Sequence, residues 1–306
     1  MTALVKSVAE WNSVAAGIRR EEVVGFVPTM GALLKGHGAL LEEARSRCSV
    51  VVASIFVNPI QFDQKSDYDL YPRVLENDIA FCAARRVDYI FAPSDNEMYP
   101  EPQRAFVDVN EVSEHLCGRN RPGHFRGVAT VVLKLFHIVQ PHFAFFGEKD
   151  YQQLTLVRRL VRDLNIPIQV IGVPTARESD GLALSSRNRR LNLRERAFAP
   201  LLYKALLGAQ RSIAHGERNV VAIKEHAQRV LHSVPDIKID YFDLVDPETI
   251  RPVNAVEGPV RAALAVWIGK TRLIDNVLCE PPLLIETRRQ LRPRPFHDVG
   301  ERGGRC

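Results

Sequence analysis

At 306 residues the chain has room for about two domains. With 46% hydrophobic and 25% charged residues it has the balance of an ordinary globular protein, which excludes an unfolded chain, and no apolar run approaches the roughly 20 residues that cross a bilayer. The net charge of +5 is concentrated in residues 281–306, which hold six arginines against three acids; elsewhere no basic and aromatic stripe marks a nucleic-acid groove, so neither nucleic acid nor a membrane is expected as a partner.

The first 20 residues alternate charge and apolar character without the core of a signal peptide, so a cytosolic setting is expected. Apolar, β-rich runs at residues 23–28, 49–57, 88–92, 143–146 and 166–173 read as buried strands. Between them, residues 38–47, 76–86, 128–139 and 151–165 read as amphipathic helices. Strand and helix in turn imply βαβ units and a parallel sheet, with ligands at the carboxyl ends of its strands. Past Pro174 the order changes. Helices at 193–214 and 220–231 precede short strands at 239–245 and 262–268, which suggests a smaller α+β domain. The expected division is 1–175, 176–279 and a basic, flexible tail at 280–306. The five cysteines are scattered and form no C-x-x-C pair, so they read as structural thiols.

Five segments carry polar chemistry at strand ends. In Phe26-Val-Pro-Thr-Met30-Gly31-Ala-Leu-Leu34-Lys35-Gly36-His37 a strand enters a two-glycine turn and then a helix, the arrangement that offers N–H groups and a partial positive charge to a phosphate. A Gly-rich turn that binds nothing would look the same. In Asn58-Pro-Ile-Gln61, two amides suit a substrate with hydroxyl and carboxylate groups, although Asn-Pro is also an ordinary turn. Arg121-Pro-Gly123-His124-Phe-Arg126-Gly127, ahead of an apolar helix, could present cations from a loop, but it reads first as a turn and helix start. In Gly147-Glu148-Lys149-Asp150-Tyr-Gln-Gln153, Lys149 would bring a cation to the sheet edge and Asp150 a metal or ribose ligand. Ser185-Ser186-Arg187 places two hydroxyls before a guanidinium, a compact anion clamp. Gly269-Lys270-Thr271 lacks the upstream glycine of a P-loop, and no G-x-G-x-x-G occurs. The recurrence of such groups at strand ends points to a site for ATP.

Taken together, these segments resemble the pantoate–β-alanine ligase family. The resemblance runs from Val23 to about Asn276 and also rests, in order, on Tyr71-Pro-Arg73, Leu116-Cys-Gly118, Asp180-Gly-Leu-Ala-Leu184 leading into Ser-Ser-Arg-Asn188, Val245-Asp-Pro-Glu-Thr249 and Gly269-Lys-Thr-Arg-Leu-Ile-Asp-Asn276. It implies a Rossmann-like nucleotidylyltransferase fold related to class I aminoacyl-tRNA synthetases, a cytosolic homodimer, and a two-step ligation through pantoyl adenylate with Mg²⁺ and ATP. By family correspondence His37, Lys149, Ser185, Ser186 and Arg187 are catalytic. Met30, Gly31, Gly36, Gly147, Glu148, Asp150, Ala176 and Leu184 belong with them to the ATP site. Gln61, Gln153 and Asn58 would hold pantoate, and Asp78 would serve Mg²⁺ or its waters.

One position departs from the family. The family loop reads His-x-Gly-His, whereas this chain has Leu34-Lys35-Gly36-His37, so a preorganised phosphate donor is missing and Lys35 is the nearby cation. Loss of one such donor typically costs about 10²–10³ in rate. An active but slowed ligase is the leading expectation. A catalytically impaired paralogue that binds ATP or pantoate in a regulatory or dimerisation role is the alternative, and RNA binding through the basic tail a more remote one.

Overall fold

The computed structural model describes residues 2–282, so the greater part of the basic tail lies outside the described residues. In chain order the first half runs β1 (Ala3–Val5), α1 (Val8–Gly17), β2 (Val24–Thr29), α2 (Lys35–Arg47), β3 (Val50–Ile55), α3 (Lys65–Asp69), α4 (Leu75–Ala83), β4 (Tyr89–Phe91), α5 (Asp95–Met98), α6 (Cys117–Asn120), α7 (His124–Val139), β5 (Phe143–Gly147), α8 (Tyr151–Asp163) and β6 (Gln169–Val173). The second half follows with α9 (Leu193–Phe198), α10 (Leu201–Ala214), α11 (Val220–His232), β7 (Ile237–Val245), β8 (Val260–Ile268) and β9 (Thr271–Cys279).

The first six strands form one parallel sheet in the order β1-β4-β3-β2-β5-β6. Alternation along the strands explains its two apolar faces. Phe26, Val52, Phe91, Ala144 and Phe146 turn to one side, where Val128, Val131, Val132, Leu135 and Val139 of α7 cover them. Val27, Val51, Ala53, Ile90 and Phe145 turn to the other, beneath Leu40, Leu41 and Ala44 of α2. The strand order reverses between β2 and β5, and in such sheets the crevice outside the carboxyl ends of the diverging strands receives ligands.

β7, β8 and β9 form a separate antiparallel sheet. Leu264, Val266 and Leu273 face Leu202, Leu206, Ile213, Ile223 and Leu231 of α10 and α11. Val245, Ile250 and Ala263 instead join the core of the parallel sheet, so the small sheet is packed on both sides. The expected α/β architecture with a smaller α+β unit is therefore found.

Three differences from the sequence reading, and one segment to which it assigns no element, have local causes. Helix 193–214 is two helices, because Pro200 has no N–H to continue α9 and sits instead at the start of α10. The segment 269–271 is a two-residue hairpin: Ile268 pairs with Thr271, and Gly269 takes φ +56, so Gly-Lys serves a turn between β8 and β9. The last strand of the parallel sheet begins at Gln169 rather than residue 166, just after Pro167, which cannot donate to the ladder. Finally, β1 and α1 were not anticipated, although Ser7 and Glu10 form a capping box whose S-x-x-E spacing is visible in the sequence.

Candidate active site

A cavity of about 360 Å³ opens at the carboxyl ends of β2 and β5 and is roofed by β8 and β9. Its first wall is the loop after β2. The Thr29 hydroxyl donates to the Ser54 carbonyl (2.7 Å) and accepts the Gly31 N–H (3.1 Å). Gly31 takes φ +77, and a Cβ there would stand 2.9 Å from the Asp78 carboxylate, so glycine is needed twice over. Asp78, buried on α4, then accepts the Ala32 N–H at 2.9 Å and the Leu33 N–H at 2.7 Å. Next, the Leu34 N–H donates to His37 Nδ1 at 3.0 Å. A neutral imidazole with Nδ1 accepting carries its proton on Nε2, leaving a donor for a ligand. Burial lowers the His37 pKa and outweighs the nearby Asp150 and Asp78, which keeps that tautomer at neutral pH. Leu34 lines the cavity with no polar group; Lys35 is exposed and not in the lining, so it does not stand in for the missing donor.

The second wall is the turn Glu148–Asp150 after β5. Lys149 reaches the cavity with its ammonium 3.6 Å from Asp150, and Asn276 of β9 donates to the carbonyls of Glu148 (2.9 Å) and Lys149 (3.0 Å). Glu148 faces away from the lining and pairs with Arg261 of β8 at 3.5 Å. The third wall carries Ala176, Leu184 and the Ser185-Ser186-Arg187 run. The Leu184 N–H bonds the Ala176 carbonyl at 2.9 Å, and Ser185 Oγ accepts the Arg187 N–H at 3.2 Å. Arg177 fastens this segment to β9 through both oxygens of Asp275, at 2.6 and 3.0 Å.

Opposite lie the amides. Asn58 donates to Gln61 Oε1 (3.0 Å) and to the Gly127 carbonyl (3.2 Å), while Tyr99 donates to Asn58 Oδ1 (2.7 Å). The approach is close because Gly127 has no side chain: a Cβ would fall 2.3 Å from the Ile60 carbonyl oxygen. Gln61 Nε2 lies 3.0 Å from the Met30 sulfur. His124 Nδ1 stands 2.8 Å from the Gln61 carbonyl oxygen and Arg121 is 3.1 Å from the other ring nitrogen; burial and Arg121 push the His124 pKa down to about 4.

The family model described as Pantoate-beta-alanine ligase matches residues 3–278. The chain belongs to that family. The pantothenate synthetases of Pseudothermotoga lettingae and Fervidobacterium nodosum are 46% and 49% identical to it, each alignment covering 90% of this chain and 98% of the relative. Among solved structures, pantothenate synthetase from Thermus thermophilus superposes with a TM-score of 0.85 at 48% identity over 90% of this chain and 98% of that one. The pantoate–β-alanine ligase of Francisella tularensis, complexed with β-γ ATP and β-alanine, has a TM-score of 0.76 at 36% identity over 91% of this chain and 98% of that one.

In this member of the pantoate–β-alanine ligase family, Met30, Gly36, His37, Asn58, Gln61, Gly147, Lys149, Asp150, Gln153, Ala176, Leu184, Ser185, Ser186 and Arg187 all line one cavity. Gly31, Glu148 and Asp78 do not. Asp78 lies outside the lining, and each of its oxygens already accepts a backbone N–H of the loop it clamps. Asp150 is the carboxylate of the lining not committed to an arginine, and among the described residues no cluster of three or more metal-ligating side chains occurs. One carboxylate beside a triphosphate fits Mg²⁺, which keeps several waters and takes substrate oxygens for the rest of its shell. Tyr71, Arg261 and Arg272 also line the cavity without a role in the sequence reading, which sets Arg121 and His124 in a loop that could present cations but reads first as a turn and helix start. That turn is real, with Gly123 left-handed ahead of α7, and it also delivers both side chains to the cavity.

Proposed function

We propose that the chain joins pantoate to β-alanine at the expense of ATP, giving pantothenate, AMP and pyrophosphate. The observation that carries this reading is that one cavity is lined both by cations and hydroxyls (Lys149, Ser185, Ser186, Arg187) with the His37 donor and by three amides (Asn58, Gln61, Gln153). The first group suits a triphosphate and the second a hydroxy acid.

In the first step a pantoate carboxylate oxygen attacks the α-phosphorus and the bond to pyrophosphate breaks. Such a transfer needs positioning and charge stabilisation more than covalent help from the protein. Lys149 and Arg187 neutralise the charge that builds on the phosphate oxygens, and the His37 Nε2–H and the two serine hydroxyls donate to them. Gln61 and Gln153 orient the pantoate hydroxyls and carboxylate, with Asn58 holding Gln61 in place. Asp150 is the residue of the lining that would hold Mg²⁺, which would supply further neutralisation of the phosphate charge when bound. In the second step the β-alanine amine attacks the acyl carbon and the bond to the AMP oxygen breaks. The same reading includes a second copy of the chain as partner and a cytosolic setting, as is usual in the family; among the described residues no helix is long and apolar enough to cross a membrane, and the four cysteines there are free.

The regulatory alternative rests on Leu34 alone, and it is set against an otherwise complete ring of polar groups. Pyrophosphate release with ATP, Mg²⁺ and pantoate decides between the two. A ligase releases about one equivalent without β-alanine and turns over repeatedly with it. No release under either condition would overturn the proposal.

A further inference from the structure

The turn that carries Lys149 has no cap of its own. Neither the turn Glu148–Asp150 nor the start of α8 receives a side-chain cap. Among the described residues, the side-chain hydrogen bonds to its backbone both come from Asn276, which lies on β9 in the other sheet, 127 and 128 residues further along the chain. Asn276 is buried, and its amide orientation is fixed from both ends. Arg261 has only donors, and its guanidinium lies 2.9 Å from Asn276 Oδ1, so the amide NH₂ must face the two carbonyls, which only accept. Arg261 is itself pinned, 3.7 Å above the Tyr151 ring and 3.5 Å from the Glu148 carboxylate.

We infer that Asn276 is a positioning residue for Lys149: its two hydrogen bonds hold the 148–149 backbone so that the ammonium meets the reacting phosphate. The inference rests on the functional reading above, in which Lys149 acts in the first step. A free turn would let the long lysine side chain sweep the cavity, and an ångström of misplacement at a reacting centre can cost about a hundredfold in rate. Asn276 also lines the cavity, but its amide NH₂ is spent on the two carbonyls of the turn and its Oδ1 accepts from Arg261. It acts only through the backbone it holds.

The substitution Asn276→Asp isolates the role. The carboxylate keeps its partner in Arg261 but turns an oxygen with no donor toward two carbonyl oxygens. Single-turnover pyrophosphate release should fall between tenfold and a hundredfold, while the KM for pantoate, whose partners Asn58 and Gln61 are held independently of this turn, stays within about twofold. The deciding measurement repeats the substitution in Lys149→Ala. There, Asn276→Asp should change the residual adenylation rate by less than about twofold, because the group it positions is gone. Should the aspartate variant fail to fold, Asn276→Ala is measured in the same two backgrounds with the same expectation. An unchanged rate in the intact chain would overturn the inference, and so would an equal fractional loss with and without Lys149, which marks a purely structural role. Absence of pyrophosphate release from the unsubstituted protein would overturn the functional reading and this inference with it.

Discussion

The loops after β2 and β5 sit side by side at the point where the strand order reverses, but they are anchored by different parts of the molecule. The first is fastened from within the parallel sheet: Thr29 and Asp78 bind its N–H groups, and Asp78 belongs to the helix that leads into the next strand. The second is fastened from outside, by Asn276 and Arg261 of the antiparallel sheet. Neighbouring loops of the proposed site thus differ in what anchors them: the His37 loop depends on contacts inside the parallel sheet, and the Lys149 turn on contacts from β8 and β9.

Three substitutions sharpen that contrast. The largest effect is expected for Lys149→Ala, which removes the cation and leaves the turn and its anchor intact. Adenylation should fall by about 10²–10³, or roughly 3–4 kcal/mol of transition-state stabilisation, with an unchanged melting temperature. Wild-type pyrophosphate release in this variant would remove Lys149 from the mechanism. Next is Leu34→His on the opposite loop. Leu34 lines the cavity, and its backbone N–H, not its side chain, holds His37, so an imidazole can be added without disturbing that bond. The adenylation rate should rise about tenfold or more, with little change in the affinity for ATP, because a preorganised donor acts mainly on the transition state. No gain in an otherwise active enzyme would show that Leu34 is no handicap. The smallest effect on rate is expected for Asp78→Asn. One of two charge-assisted bonds to buried N–H groups is lost, at a cost of about 1–3 kcal/mol in stability. The melting temperature should drop by a few degrees, about 2–4 °C per kcal/mol, while turnover falls only severalfold. A full loss of pyrophosphate release in a folded Asp78→Asn protein, restored by raising Mg²⁺, would instead return Asp78 to the metal site.

The same contrast explains what could be read from the sequence. The loops after β2 and β5 were legible because each is local: an apolar strand, a turn with glycine, then polar groups ahead of a helix. His37 and Lys149 stood out for that reason, and the Ser185-Ser186-Arg187 run because its two hydroxyls and guanidinium are consecutive in the chain. Arg261 and Arg272 did not, because in sequence they are single charges in β-strands, and their meaning lies in contacts with groups more than 100 residues away, such as Glu148 and Cys117. The clamp that Asp78 makes was hidden for a related reason: the two N–H groups it serves lie 45 and 46 residues earlier and are brought to it only by the fold. Gly269-Lys270 looked like a fragment of a phosphate loop because a hairpin and a phosphate cradle both use glycine where φ is positive.

The roof that β8 and β9 form over the cavity also has a thermodynamic consequence. Neither apolar core alone encloses the nucleotide site, so a ligand that fills the cavity binds only molecules in which both cores are intact. Linkage then requires it to stabilise the two together, by about 2.7 kcal/mol at a hundred times its Kd. Unfolding of the small sheet already strips Val245, Ile250 and Ala263 from the core they share with the parallel sheet, and with ATP bound it must also release the nucleotide. A calorimetric trace should therefore shift upward with saturating nucleotide.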